Sequence, residues 1–286
     1  MTDHRTRSTF TWRPMARARA MVDIVNGALA EYSPRTLRGL HYYTVTKHGY
    51  PNTPANYEYV MGVCTLGRKA GLIPWDGLVD EGRGAVTRPS WADPQDFLAS
   101  AISQYRLDPW DRQPTYVEVV VEKAALVGLL KPACDEFRVP VTAAKGSESW
   151  TDIYVMAGRL AARADAGAKL VVLHLADFDP MGWDMTRDLQ GRLNFFEVDA
   201  RVARVALNPK QASAYPSSFK EPKRRDKLGK AFAAKFGRVS VELDAVPPAE
   251  LQAMVRKTIL RYVDLDALDR TMAQEDRDRR RLAKLG

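Results

Sequence analysis

The chain is poor in cysteine, with two, Cys64 and Cys134, in 286 residues, far apart and in no CxxC spacing. This argues against a disulfide framework or a cysteine zinc site and makes buried free thiols the expectation. Long apolar runs are missing as well. None approaches the roughly 20 residues that span a bilayer. The opening Met1-Thr2-Asp3-His4-Arg5-Thr6-Arg7 lacks the apolar core of a secretory signal. A G-x-x-x-x-G-K-[ST] phosphate loop is absent too: Gly229-Lys230 is followed by Ala231 and has no earlier glycine in place. These gaps point to a cytoplasmic protein with no membrane partner and no ATPase of its own.

Acidic charge is scarce in one stretch. Residues 201–240 carry eleven Lys or Arg against two acids, Glu221 and Asp226, within a chain of net charge +8 and pI near 9.4. The densest part holds Lys220, Lys223, Arg224, Arg225 and Lys227. A solvated helix face is the plain reading of such a run, and contact with nucleic-acid phosphates the sharper one.

With 45% hydrophobic residues, the chain has enough apolar material for two domains and a sizeable core. Residues 1–13 read as a flexible N-terminus. Met21, Ile24, Val25, Ala28 and Leu29 recur at helical period, so a helix is expected from Pro14 to Tyr32. Thr36 is the expected N-cap of a second helix, Leu37 to about Lys47. Thr53-Pro54 opens a third that runs to Ala70, with Arg68-Lys69 near its end and Gly71 closing it. Leu72-Ile73-Pro74-Trp75 and Leu78-Val79 then suggest a short hairpin. Three helices and such a wing, over 14–90, predict a winged-helix domain, commonly a duplex-binding module.

Residues 91–115 read as a linker around one helix, and 116–263 as an α/β domain with a mainly parallel sheet flanked by helices. Its two apolar runs, Tyr116 to Val121 and Lys169 to Leu175, are the expected central strands. A last strand is expected at Val239 to Leu243. The tail, 264–286, is heavily charged and predicts a solvated helix or a partner-binding arm.

Acids follow both central strands: Glu122 after the first, Asp177 and Asp179 after the second. Chemistry in parallel sheets gathers beyond the carboxyl ends of the strands. Alternate residues project to one side, so the D-x-D pair can share an ion. Two close carboxylates without a cation would repel, which makes a hard-oxygen Mg²⁺ site the simpler account. Pro180 and Met181 argue against the D-x-D-x-T nucleophile motif of phosphatases. In the second helix Arg38 and Tyr42, four apart, share a face. A guanidinium beside a phenol can hold a phosphate and favour the phenolate, although a lone helical tyrosine is more often packing.

Taken together these motifs resemble one family. Glu122 and Asp177-x-Asp179 in alternating β/α order are similar to a Toprim domain. Thr36-Leu37-Arg38-Gly39-Leu40-His41-Tyr42 resembles the Arg-x-x-Tyr/Phe-Tyr signature of the topoisomerase VI A subunit and the meiotic break-forming transesterase. Asp177-Phe178-Asp179-Pro180-Met181-Gly182 is similar to their Asp-Gly-Asp-Pro-Trp-Gly. The resemblance covers about 14–262 and is strongest to the stand-alone Mini-A type of phages and other mobile elements. It implies that Tyr42 is the nucleophile, with Arg38 one turn before it, and that Glu122, Asp177 and Asp179 hold Mg²⁺. It further implies double-stranded DNA as partner, a homodimer that pairs one chain's tyrosine with the other's metal site, and a nucleoid-associated location. Strand passage would need a separate ATPase partner. The sequence departs from the family at His41, where the first aromatic usually stands with Tyr43 following Tyr42, and at Phe178, which replaces a glycine. The rival readings are a Toprim nuclease that uses metal-activated water and a non-catalytic DNA-binding protein.

Overall fold

The fold is taken from a computed structural model that describes residues 11–79, 89–144, 150–216 and 227–284. It is α/β, with a four-stranded parallel sheet flanked by helices. The sheet strands are β3 (Thr115–Val121), β4 (Val141–Ala143), β5 (Lys169–Leu175) and β6 (Ala200–Ala206). Their order is β4-β3-β5-β6, with Val121 opposite Leu175. Six consecutive residues of β3 and of β5 are buried, the pattern of strands covered on both faces. Valine and leucine dominate them, as the pleated interior favours.

Between the strands run α5 (Ala125–Asp135), α6 (Trp150–Asp165) and α7 (Pro180–Phe195). Right-handed crossovers place α5 on one face and α6 with α7 on the other. Accordingly α5 packs against α10 (Pro248–Ile259), and α6 against α7. The chain leaves β3 toward one edge and β5 toward the other. The topological switch point therefore lies between these two strands, where Glu122 and Asp177 follow them.

The N-terminal unit comprises α1 (Ala16–Glu31), α2 (Leu37–His48) and α3 (Pro54–Lys69). Its own core includes Met21, Val25, Leu40, Val60, Cys64 and Ile73. Local signals set its boundaries. Thr36 Oγ1 accepts from the Gly39 N–H at 2.9 Å, Thr53 caps α3, and Gly71 at φ 71° follows the end of α3. The expected hairpin is different. Leu72–Trp75 form no strand, because Ile73 turns inward against Gly67. The two-residue strand β2 (Leu78–Val79) instead pairs in parallel with β1 (Arg35–Thr36).

Two more expectations are corrected. Val239–Leu243 is not a sheet strand; it makes one antiparallel bridge, Phe178 with Val241, and then a 3-10 turn at Leu243–Ala245. The charged tail is neither free nor wholly solvated. Its helix α11 (Leu265–Leu282) is docked by Glu275, which is buried and paired with Arg138, Arg279 and the Leu107 N–H. The segment read as a linker does carry one helix, α4 (Pro94–Gln104), with none of its residues buried. Cys64 and Cys134 are buried free thiols, pushed up by burial to about 11 and about 12.

Candidate functional site

Glu122 is fixed by the sheet: its N–H extends the ladder to the Leu175 carbonyl at 2.9 Å. Its Oε2 accepts from the Asp177 N–H at 2.8 Å, so one acid anchors the loop that carries the next two. Asp179 caps α7, with Oδ1 accepting from the Gly182 N–H at 2.7 Å. Gly182 is required at that point. A Cβ there would lie 2.3 Å from the Asp177 carbonyl oxygen, so any side chain would push the helix start off the acidic loop.

Asp177 has both oxygens engaged. Oδ1 accepts from the Leu243 N–H at 2.8 Å, and Oδ2 lies 2.9 Å from Lys123 Nζ. The same ammonium meets Asp244 Oδ2 at 2.8 Å and Glu242 Oε2 at 3.4 Å. Burial pushes Lys123 down, but Asp244, Asp177 and Glu242 outweigh it and hold the group well above its ordinary value. Burial raises Asp177, and the Glu122 charge adds to that; Lys123 opposes both. Glu122 is also raised, first by burial and further by Asp179. Behind them Arg204 donates to the carbonyls of Ala176, Asp177, Gly182 and Leu207. Burial lowers it to about 10 against the pull of the three acids. His174, buried beside Arg204, is lowered to about 3 by burial and that charge, and so stays neutral.

The second helix meets this acidic edge directly. Arg38 Nε lies 3.1 Å from Glu242 Oε2, while its guanidinium sits 4.5 Å over the Tyr57 ring. Thr36 Oγ1 donates to Asp244 Oδ1 at 2.8 Å. Tyr42 is 1% exposed and packs in the core of the sheet unit, not in that of its own three helices. Burying such a ring stabilises the seam by about 2 kcal/mol. Tyr43 points elsewhere: its hydroxyl donates to Glu31 Oε1 at 2.7 Å.

The sequence-predicted residues thus fall into four groups. Arg38, Glu122, Asp177 and Asp179 lie along one connected acidic edge, with Tyr42 buried beside it. Arg68 and Lys69 close α3 in the N-terminal unit, Arg68 stacked 5.1 Å over Trp75. Lys227 is exposed at the start of α9 (Lys227–Phe236) in the sheet unit. Lys220, Lys223, Arg224 and Arg225 lie outside the described residues. Phe178, between the aspartates, has a packing role. Its ring meets Phe232 at 5.1 Å and Phe236 at 5.2 Å, and so pins the basic helix α9 beside the acidic loop.

Lys123, Glu242 and Asp244 were not singled out from sequence. The signal was there: acids at 242 and 244 alternate with Val241, Leu243 and Ala245, an expensive pattern unless a cation faces them.

Among the described residues, no three Asp, Glu, His or Cys side chains surround one point in the way a bound ion needs. Glu122 Oε1 and Asp179 Oδ2 nevertheless accept no hydrogen bond there, and Asp179 adds to the raising of the Glu122 carboxyl. Asp177 is committed to Lys123, so Glu122 and Asp179 are the carboxylates that would be left to hold an ion with water or phosphate as its other ligands.

Comparison with protein-family models, with curated proteins and with solved structures finds no match for this chain.

Proposed function

We propose that this chain is a Mg²⁺-dependent, DNA-cleaving transesterase of the topoisomerase VI A type, with residues 14–90 as a winged-helix module and 116–263 as a Toprim domain. The observation that carries the reading is the seam. The helix bearing Arg38 and Tyr42 lies on the acidic edge at the switch point of a parallel sheet, joined to it by Arg38–Glu242 and Thr36–Asp244. In the reaction the Tyr42 hydroxyl oxygen forms a bond to a backbone phosphorus. The P–O3′ bond breaks, the phenolic proton passes to solvent, and the 3′-oxygen takes up a proton. The product is a 5′-phosphotyrosyl link. Arg38 neutralises the phosphate. Glu122 and Asp179 would hold Mg²⁺, which would supply charge neutralisation at the phosphate. Asp177 keeps the acidic loop in register through Leu243 and Lys123. The exposed lysines of α9 hold the duplex backbone. Each chain has one such tyrosine, so double-strand cutting takes a homodimer, and strand passage an ATPase supplied by another chain.

A second reading has its own support. Tyr42 is buried in the described conformation, whereas Glu122 and Asp179 are partly exposed at the carboxyl ends of the central strands, and a nuclease that activates water at those acids needs no tyrosine. Supercoiled plasmid with Mg²⁺, denatured with and without protease, separates the two. Protein-linked ends lost in Tyr42→Phe support transesterification. Free ends that persist in Tyr42→Phe and vanish in Asp179→Ala mean hydrolysis. Salt-sensitive binding with no cutting under any condition leaves a non-catalytic DNA-binding protein.

A further inference from the structure

The candidate nucleophile is stored. Tyr42 is 1% exposed, and its ring is counted into the hydrophobic core of the sheet unit of its own chain. Arg38, one turn earlier, has its guanidinium on a carboxylate of that same unit. A tyrosine in this position reaches no DNA phosphate until its helix moves. What holds the helix is a short element, Glu242-Leu243-Asp244, that faces both ways. Toward α2, Glu242 receives Arg38 at 3.1 Å and Asp244 receives Thr36 Oγ1 at 2.8 Å. Toward the acidic centre, Leu243 N–H donates to Asp177 at 2.8 Å, and both acids share Lys123.

We propose that Glu242 and Asp244 are positioning residues: they latch the Arg38–Tyr42 helix onto the acidic edge in a closed state, which a duplex phosphate opens by taking Arg38 from Glu242. This rests on the reading of Tyr42 as the nucleophile. The exchange is chemically matched, since the guanidinium fork that donates to a carboxylate donates to a phosphate equally well. A small crevice lined by Arg35, Thr36, Gly39, Leu126, Leu243 and Asp244 runs along the seam. The latch is separable from the rest of the centre. Without the Glu242 charge, Lys123 keeps Asp177 at 2.9 Å and Asp244 at 2.8 Å. Glu242→Gln is therefore the variant that loosens α2 and leaves the acidic loop paired.

The test is hydrogen exchange on the full-length protein, followed at α2 and, as an internal reference, at α5, with and without a short DNA duplex. Glu242→Gln alone is expected to speed exchange in α2 by roughly tenfold or more, the worth of a hydrogen bond to a charged group. Exchange in α5 stays as in the wild type. Glu242→Asp, which keeps the charge, recovers part of the protection. Duplex speeds α2 exchange in the wild type and changes it little in Glu242→Gln. The variant also forms covalent protein–DNA links faster at saturating DNA. Unchanged α2 exchange in Glu242→Gln overturns the latch. So does faster exchange in α2 and α5 together, which marks a general loss of stability. Cutting that survives Tyr42→Phe defeats the assignment of the tyrosine, whereas the exchange result reads the latch alone.

Discussion

Lys123 Nζ and Asp177 Oδ2 stand 2.9 Å apart across the two central strands, one residue after Glu122 and one before Phe178. This pair, with Asp244 and Glu242 around the same ammonium, balances a concentration of buried negative charge. Breaking a buried pair by removing one partner is costly because the remaining charge stays desolvated. Lys123→Met is expected to lower stability by about 3 kcal/mol, read from the urea midpoint. Mg²⁺ should then raise the melting temperature of the variant more than that of the wild type, because the ion takes over the lost charge. Equal Mg²⁺ responses would mean that Lys123 does not compete with a cation at this edge.

Gly182→Ala tests the approach of α7 to the acidic loop. A Cβ would lie 2.3 Å from the Asp177 carbonyl oxygen, which is backbone and cannot swing aside. The cost is about 2–3 kcal/mol of overpacking strain, together with a displaced Asp179. Gly191→Ala, in the same helix with nothing near its Cβ position, gives the control. It should be neutral or stabilise by about 0.5–1 kcal/mol, since alanine favours a helix interior. Similar losses in thermal melts of both variants would refute the steric account.

Much of this arrangement is legible in the sequence wherever the cause is local. Lys169–Leu175 reads as a strand and is one, because five of its seven residues are apolar and form a run bounded shortly after by Asp177. Thr36, Pro54 and Gly71 act through their own backbone neighbours. The misses have distant causes. Val239 to Leu243 alternates like a strand, but among the described residues only Val241 makes a β-bridge, to Phe178, more than sixty residues away in sequence. Ile73 reads as part of a wing until the notch at Gly67 is seen. Glu275 looks like one charge among many on a solvated helix, and only Arg138 and Leu107, far back in the chain, show why it is buried.

Phe178→Gly removes an aromatic ring between the two aspartates and should carry a penalty. The ring is one of four aromatics, with Trp183, Phe232 and Phe236, that hold α9 to α7. Truncating it to that degree costs about 3–5 kcal/mol, concentrated at α9. Trypsin should then cut at Lys227 and Lys230 faster, while Arg256 and Lys257 in α10 keep their protection. If α9 also holds duplex phosphates, the salt dependence of DNA affinity becomes shallower in the same variant.

The docking of α11 is expected to depend on pH. Burial pushes the Glu275 carboxyl up, but the Arg138 pair, the Leu107 N–H and Arg279 outweigh it and hold the group below its ordinary 4.5. A depressed acid stabilises the fold fully above its unfolded value, and that contribution fades as pH falls through the folded one. Glu275→Gln leaves Arg138 without its carboxylate and should cost about 3 kcal/mol near neutrality. The cost shrinks as pH falls through the lowered folded value, where the wild-type side chain is itself protonated. Urea midpoints of the two proteins measured across that range should therefore converge on the acid side. Trp110 gives a local check, because its Nε1 donates to the Arg138 carbonyl at 2.9 Å. Its emission, isolated by subtracting the Trp110→Phe protein, should shift in the wild type on acidification and be already shifted in Glu275→Gln at pH about 7. Midpoints that stay equally far apart at all pH values would assign the loss to shape and not to charge.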